Sequence, residues 1–333
     1  VKALAYEKAH ALDAFAIELT EVAELRPRDG DLLVEVRAIG INPGEAAIRQ
    51  TRSAEPGGRI VLGWEFAGVV AAAGSAATGF AAGDRVMGTG DFTRDGSWAE
   101  RVAVDHRVVA KIPDRLAFTD AASLPIGVLT AWESLFRDQD ALPPGVGRVL
   151  VVGGAGGVGS MATQLLKATT PAFVISTASR PASRQWAAAM GADLVVDHRR
   201  DLAGQLRTAG IDHVDLVLST SGTSGHLRAI AEVLRPFGHL AAIDLASPFD
   251  AGALTGKSLS LHSEMVFSKI VAGGDVGSQG RILARAADDV AAGRLRPIVT
   301  TVLEGLTAES VKTAHALAES GRTIGKTVIR VAG

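Results

Sequence analysis

Cysteine is absent from all 333 residues, and that zero excludes disulfides, a thiolate nucleophile and any cysteine-ligated zinc site. The eight histidines are scattered. No pair has the spacing that sets two imidazoles on one helical face, so no metal is expected. An excess of one charge is also missing: 34 basic against 36 acidic residues leave a formal net charge of −2. That field is too weak to favour nucleic acid or an anionic membrane. No apolar run is long enough to span a bilayer, and no signal peptide is expected ahead of the strand-like opening "VKALAYE". Repeats and low-complexity tracts are lacking as well. What is present is a globular composition, 47% hydrophobic and 21% charged, in a chain better suited to two domains than to one core. A soluble cytoplasmic enzyme is the expectation.

Two rhythms divide the chain. Up to about residue 120, short apolar stretches such as "LLVEVRAIGI", "FAGVVAAA" and "GDRV" alternate with Gly, Pro and Asp, which predicts a β-rich domain. "TDAASLPIGVLTAWESLF" then carries apolar residues at helical spacing. Strands are predicted at Val149 to Val152, Phe173 to Thr177, Leu194 to Val196, Leu216 to Ser219 and Leu240 to Ile243. Helical stretches separate them, which predicts a parallel sheet with crossover helices. After Leu261 the alternation stops, leaving helices near 279–292 and 308–320 and the closing strand "KTVIRV". The expectation is therefore an interrupted domain, 1–120 with 262–333, and an inserted one, 121–261.

"RVLVVGGAGGVGSMATQLLK" is the strongest local signal. Gly154, Gly156 and Gly159 have the G-x-G-x-x-G spacing between a strand and a helix. The first glycine suits a tight turn, the second lets backbone approach a pyrophosphate, and the third lets helix and strand pack closely. The amides that open the helix, through Gly157 and Val158, then face the phosphates. This predicts a doubly wound Rossmann domain. The second strand ends in Thr177, Ala178, Ser179 and Arg180, with no acid to accept the ribose 2′-hydroxyl of NADH. Ser179, Arg180 and Arg184 instead suit a 2′-phosphate, so NADPH is the expected cofactor.

With that loop placed, the whole chain resembles the medium-chain dehydrogenase/reductase superfamily, in its zinc-independent, quinone-oxidoreductase-like branch. The segments that carry the likeness are "AIGINPGEAAIR", "LGWEFAGVV", "GDRV", "ASLPIGVLTAWESLF", "GGAGGVGS", "MGADLVVDH" and "GRTIGKTVI", in that order. The resemblance implies an α/β fold with a β-rich, GroES-like catalytic domain beside the Rossmann sheet, and a homodimer. Zinc-dependent members carry Cys where Asn42 stands and His where Trp64 stands, so the Lewis acid is lost here, and Glu65 is expected to be a structural carboxylate. Many relatives carry a tyrosine after the Asn-Pro pair. The only tyrosine here is Tyr6; Ser53 falls near the vacated position and is a catalytic candidate able to hydrogen-bond a substrate oxygen, though its hydroxyl is a poor acid. The resemblance implies Asn42 as donor to a developing oxyanion, Thr130 near the nicotinamide, and His198 near the adenosine phosphate. Lys257 and Lys326 are phosphate contacts or solvated charges. The expected activity is NADPH-dependent reduction of a quinone or an α,β-unsaturated carbonyl. Alternatives are an enoyl-thioester or biosynthetic ketone reductase of the same fold, or a non-enzymatic dinucleotide-binding protein.

Overall fold

The computed structural model describes residues 1–331 apart from 138, 246 and 247. The chain forms two compact units, one of Val1–Ile126 with Phe267–Gly333 and one of Gly127–Val266. Among the described residues no helix is long and apolar enough to cross a membrane.

In the first unit, seven strands make one sheet. Its organising strand is Asp31–Gly40, whose alternate side chains Leu32, Val34, Val36 and Ala38 are buried, the pattern of a strand with one face on the core. It pairs antiparallel with Glu65–Ala73 along its length and with Arg101–Asp105 at its start. Its far end, at Ala38 to Gly40, pairs with Lys326–Arg330, which in turn lies parallel to Val299–Glu304. The closing strand thus lies in the same sheet as Asp31–Gly40 and Glu65–Ala73. A smaller sheet joins Lys2–Tyr6 to Glu18–Glu21 and Ile60–Val61.

The nine-residue helix Pro43–Thr51 was not foreseen from the sequence. Asn42-Pro43-Gly44-Glu45 reads as a turn, yet it is a helix start: Asn at the N-cap, Pro at the first helical position and Glu at the third. The Glu45 carboxyl accepts the Asn42 backbone N–H at 2.8 Å, the return bond of a capping box. The run from Asp120, read as one helix, is two: Phe118–Ala121 and Pro125–Phe136. Pro125 opens the second because it disfavours helical backbone at the residue before it.

One part of this core is polar. Arg49 and His315 are both fully buried. The Arg49 guanidinium pairs with Glu319 and lies 5.6 Å from the Phe15 ring centroid. The His315 ring packs at 5.2 Å from Trp98 and 6.1 Å from Phe15. Neither His315 nitrogen has a hydrogen-bond partner among the described residues.

In the second unit six parallel strands take the order third-second-first-fourth-fifth-sixth, counting along the chain from Arg148–Val152. That is the order of the doubly wound dinucleotide fold. The two central strands, Arg148–Val152 and Val214–Ser219, are almost wholly buried, as strands covered on both faces must be. Leu150, Ile175, Val217 and Leu240 from the sheet pack with Leu206, Leu227 and Ile230 from helices. The sixth strand, Ser260–Ser263, continues the sheet past Leu261.

Candidate active site

Each unit carries one candidate site. In the second, the strand Arg148–Val152 runs through the glycine loop into the helix Gly157–Thr169, with Gly156 as N-cap. The glycines differ in what they do. The turn itself falls at Gly153, at φ +81, one residue before the spacing suggests. A Cβ on Gly154 would lie 2.6 Å from the Ser176 Cβ, and one on Gly159 would lie 2.3 Å from the Gly153 carbonyl oxygen. Those two are required by the protein's own packing. Gly156 is not: its backbone is extended, and a Cβ there would meet nothing closer than 3.6 Å. The space it leaves is what a close-lying pyrophosphate needs. Gly156, Gly157 and Val158 are the partly exposed stretch of the loop, and the first helical amides have no acceptor within their own helix. The loop therefore fits a dinucleotide.

At the end of the second strand, Ser179 and Arg180 are partly exposed, and Arg180 caps the helix Pro181–Ala189. Arg184 is differently engaged: its guanidinium donates to the carbonyls of Ala178 at 3.2 Å and Val195 at 2.9 Å. It ties the ends of two neighbouring strands. A cation that the sequence reading passed over, Arg199, donates to the Ser179 carbonyl at 2.9 Å. His198 packs edge-on against His226 at 5.5 Å, and burial, aided by His226, pushes its pKa below the usual imidazole range. Thr130 is buried on the helix Pro125–Phe136. Lys257 donates to the carbonyls of Glu232 and Leu234, at the end of the helix Thr223–Val233, where a cation complements the helix dipole.

In the first unit, Asn42, Glu65 and Lys326 converge. Asn42 Nδ2 donates to Glu65 Oε2 at 3.2 Å, while Lys326 Nζ donates to Asn42 Oδ1 at 2.5 Å and lies 2.5 Å from Glu65 Oε2. Lys326 is only 5% exposed, which overturns its reading as a solvated charge. The other Glu65 oxygen accepts the Ile126 backbone N–H at 2.8 Å. Glycine at position 40 makes room for this carboxylate, because a Cβ there would lie 2.5 Å from Glu65 Oε2. Glu45, fully buried beside the group, accepts from the backbone amides of Asn42 and Trp64. Burial pushes its pKa up to about 7, against the pull of those two hydrogen bonds and of Lys326. Trp64 is packed against Phe267, which also meets Phe92, both at 5.4 Å. Ser53 stands apart: it is exposed, and its Oγ accepts the Ala9 amide at 3.0 Å. Among the described residues no group of three or more His, Cys, Asp or Glu side chains could hold a metal ion.

Residues 28–114 match the alcohol dehydrogenase GroES-like domain, and residues 190–329 match the zinc-binding dehydrogenase family. A zinc-type alcohol dehydrogenase-like protein of Staphylococcus aureus is 34% identical over 338 residues, covering 99% of this chain and 100% of the relative. A Rhizobium etli structure described as a zinc-dependent alcohol dehydrogenase is 38% identical, with a TM-score of 0.95 over 100% of this chain and 98% of that one. A quinone oxidoreductase from Pseudomonas syringae is 25% identical, with a TM-score of 0.82 and 99% of both chains covered. A mycobacterial protein solved with NADPH is 27% identical, again with a TM-score of 0.82 and 99% of both chains covered. The glycine loop, the strand order and this full-length likeness agree: the chain belongs to the medium-chain dehydrogenase/reductase superfamily of nicotinamide-dependent oxidoreductases.

Proposed function

We propose that this oxidoreductase uses NADPH to reduce a quinone or an α,β-unsaturated carbonyl without a metal. The Gly127–Val266 unit holds the cofactor, and the unit of Val1–Ile126 with Phe267–Gly333 supplies the groups that act on the acceptor. When bound, the nicotinamide supplies the hydride. An electrophilic enone or quinone needs no Lewis acid to accept it, only a donor for the oxyanion that develops and a proton from water. The observation that carries the reading is the Asn42 amide, oriented by Lys326 and Glu65 where zinc-dependent relatives place a cysteine ligand. Metal independence further rests on the missing cysteines and on Trp64. The quinone oxidoreductase and the NADPH-bound relative among the similar structures support the acceptor class and the cofactor. The test follows NADPH oxidation with a panel of quinones, enones and enoyl thioesters, with and without chelator. Turnover of thioesters alone moves the function to enoyl-thioester reduction, turnover of none leaves a binding protein, and loss on chelation refutes the metal-free mechanism.

NADPH preference rests on the strand end, where Ser179 and Arg180 stand in place of an acid. A hydrogen bond to a charged group contributes roughly 1.5–3 kcal/mol, about 10- to 100-fold in affinity. Arg180→Ala should weaken NADPH by about that factor and leave NADH nearly unchanged, since NADH has no phosphate to lose. Titration of each cofactor against wild type and variant checks this, and equal losses for both would refute it.

A homodimer and a cytoplasmic location complete the proposal. The strand Ser260–Ser263 is an edge of the parallel sheet, and Leu261 and Met265 on and beside it are exposed, so the edge invites pairing with a second copy. Light scattering at micromolar protein should give twice the chain mass. A monomer, or a dimer that survives Leu261→Lys unchanged, would remove this edge from consideration.

A further inference from the structure

A side-chain amide has two chemically opposite ends of nearly the same shape, and a half-turn exchanges donor for acceptor. A donor to an oxyanion must present N–H; in the flipped state its oxygen would repel the developing charge. Something must therefore choose the orientation of Asn42. An ammonium only donates, so Lys326 at 2.5 Å accepts nothing but Oδ1 as its neighbour. A carboxylate only accepts, so Glu65 Oε2 at 3.2 Å takes Nδ2. The two constraints agree, and the flipped amide would violate both at once.

We propose that Lys326 and Glu65 are positioning residues, which together lock the Asn42 amide so that its second Nδ2–H is the one presented to the acceptor oxygen. The proposal rests on the reading of Asn42 as the oxyanion donor. The pair itself is fixed from behind: Glu65 by the Ile126 amide and the glycine at 40, Lys326 by its place at the start of a paired strand. Both charges are withdrawn from water, Glu65 fully and Lys326 nearly so. Replacing a buried ion pair with apolar groups is often neutral or stabilising, so stability alone gives little reason to keep this one. A task in orienting a neighbour does.

The sequence offers an unusually clean probe, because Asn42 is the only asparagine in the chain. Selective 15N labelling of the asparagine side chain yields one NH2 signal pair and nothing else. In wild type, two sharp and well-separated proton resonances are expected, with slow solvent exchange. Lys326→Met should bring a second set or broadening as the amide flips, while Lys326→Arg should restore one set. In parallel, NADPH-dependent reduction of 1,4-naphthoquinone is measured in a double-mutant cycle with Asn42→Ala. Lys326→Met should lower kcat about 10- to 100-fold with KM nearly unchanged. In the Asn42→Ala background it should then have no further effect. Should Lys326→Met fail to fold, Glu65→Gln serves, since a glutamine amide no longer dictates which end of Asn42 it faces. Unaltered Asn42 resonances in these variants overturn the proposal, whatever happens to turnover. Additive losses in the cycle overturn it as well. If Asn42→Ala has full activity while the resonances respond as expected, the lock stands and it is the oxyanion role of Asn42 that fails.

Discussion

Gly156→Ala should leave the protein folded and largely abolish cofactor binding, whereas Gly159→Ala should destabilise the fold itself. Both glycines belong to one motif, and the contrast comes from what surrounds each. A methyl at 156 would find open space and an extended backbone that any residue adopts. It would fill the place where the pyrophosphate must approach the loop amides. Losing two charge-assisted hydrogen bonds there weakens binding by roughly 100-fold or more. A methyl at 159 would be driven into the Gly153 carbonyl and to within 2.8 Å of the Gly154 Cα. That contact is with main chain, so the helix itself must shift, at about 1–3 kcal/mol for such overpacking. Thermal melting and NADPH titration of the two variants check the pair. A Gly156→Ala protein that melts early yet binds NADPH like wild type would refute the division of roles.

Acid should act on this fold through His315, and the effect is separable from that of every other group. Burial, reinforced by Arg49 and His10, pushes its pKa down to about 3. As pH falls below the ordinary histidine value of about 6.5, the unfolded chain takes up a proton that the native one refuses. The His315 contribution to stability is therefore complete above about pH 6.5 and is lost progressively as pH falls toward 3, by about 1.4 kcal/mol per unit. Glu45 runs the other way. Its folded pKa is raised to about 7, so its contribution is complete below the unfolded value and is lost as pH rises through 7. The wild-type profile between pH 5 and 7 is thus a partial cancellation. Replacing His315 by Phe removes its largest imidazole contribution and leaves those of His198 and His239, whose pKa values burial also lowers. Between pH 7 and pH 5 the variant should gain about 2 kcal/mol relative to wild type, read as a shift in the urea midpoint at the two pH values. Parallel profiles for the two proteins would show that the buried imidazole is not the acid-sensitive group.

Local signals were legible and distant ones were not. The second strand ends at Thr177 as its sequence suggests, because alternation and the following Pro181 are both nearby. The glycine loop was readable for the same reason. What escaped was what arises only when remote segments meet. Lys326 and Asn42 are 284 positions apart, and nothing in "GRTIGKTVI" says that its lysine will be buried against an asparagine. Arg184 has the spacing of a phosphate contact, yet it donates to the Ala178 carbonyl just past the second strand and to the Val195 carbonyl that the third strand brings within reach. Helix Pro43–Thr51 was hidden by its own start, since Asn, Pro and Gly signal a turn as strongly as a cap. The Glu at the third helical position was the missed clue.

The placement of Lys326 also sets an order on events during synthesis. The ribosome makes Asn42 and Glu65 early, then the whole Gly127–Val266 unit, and only afterwards the strands Val299–Glu304 and Lys326–Arg330. At about 5–20 residues per second, the 284 positions between Asn42 and Lys326 take roughly 15 seconds to a minute. For that interval the edge of Asp31–Gly40 that Lys326–Arg330 will cover has no partner from this strand, and Glu65 has no counter-charge from this lysine. The glycine loop is thus made well before the lysine that donates to Asn42 Oδ1. On the proposed reading, an arrest upstream of Lys326 would leave a chain whose glycine loop is already made while its asparagine has no fixed orientation.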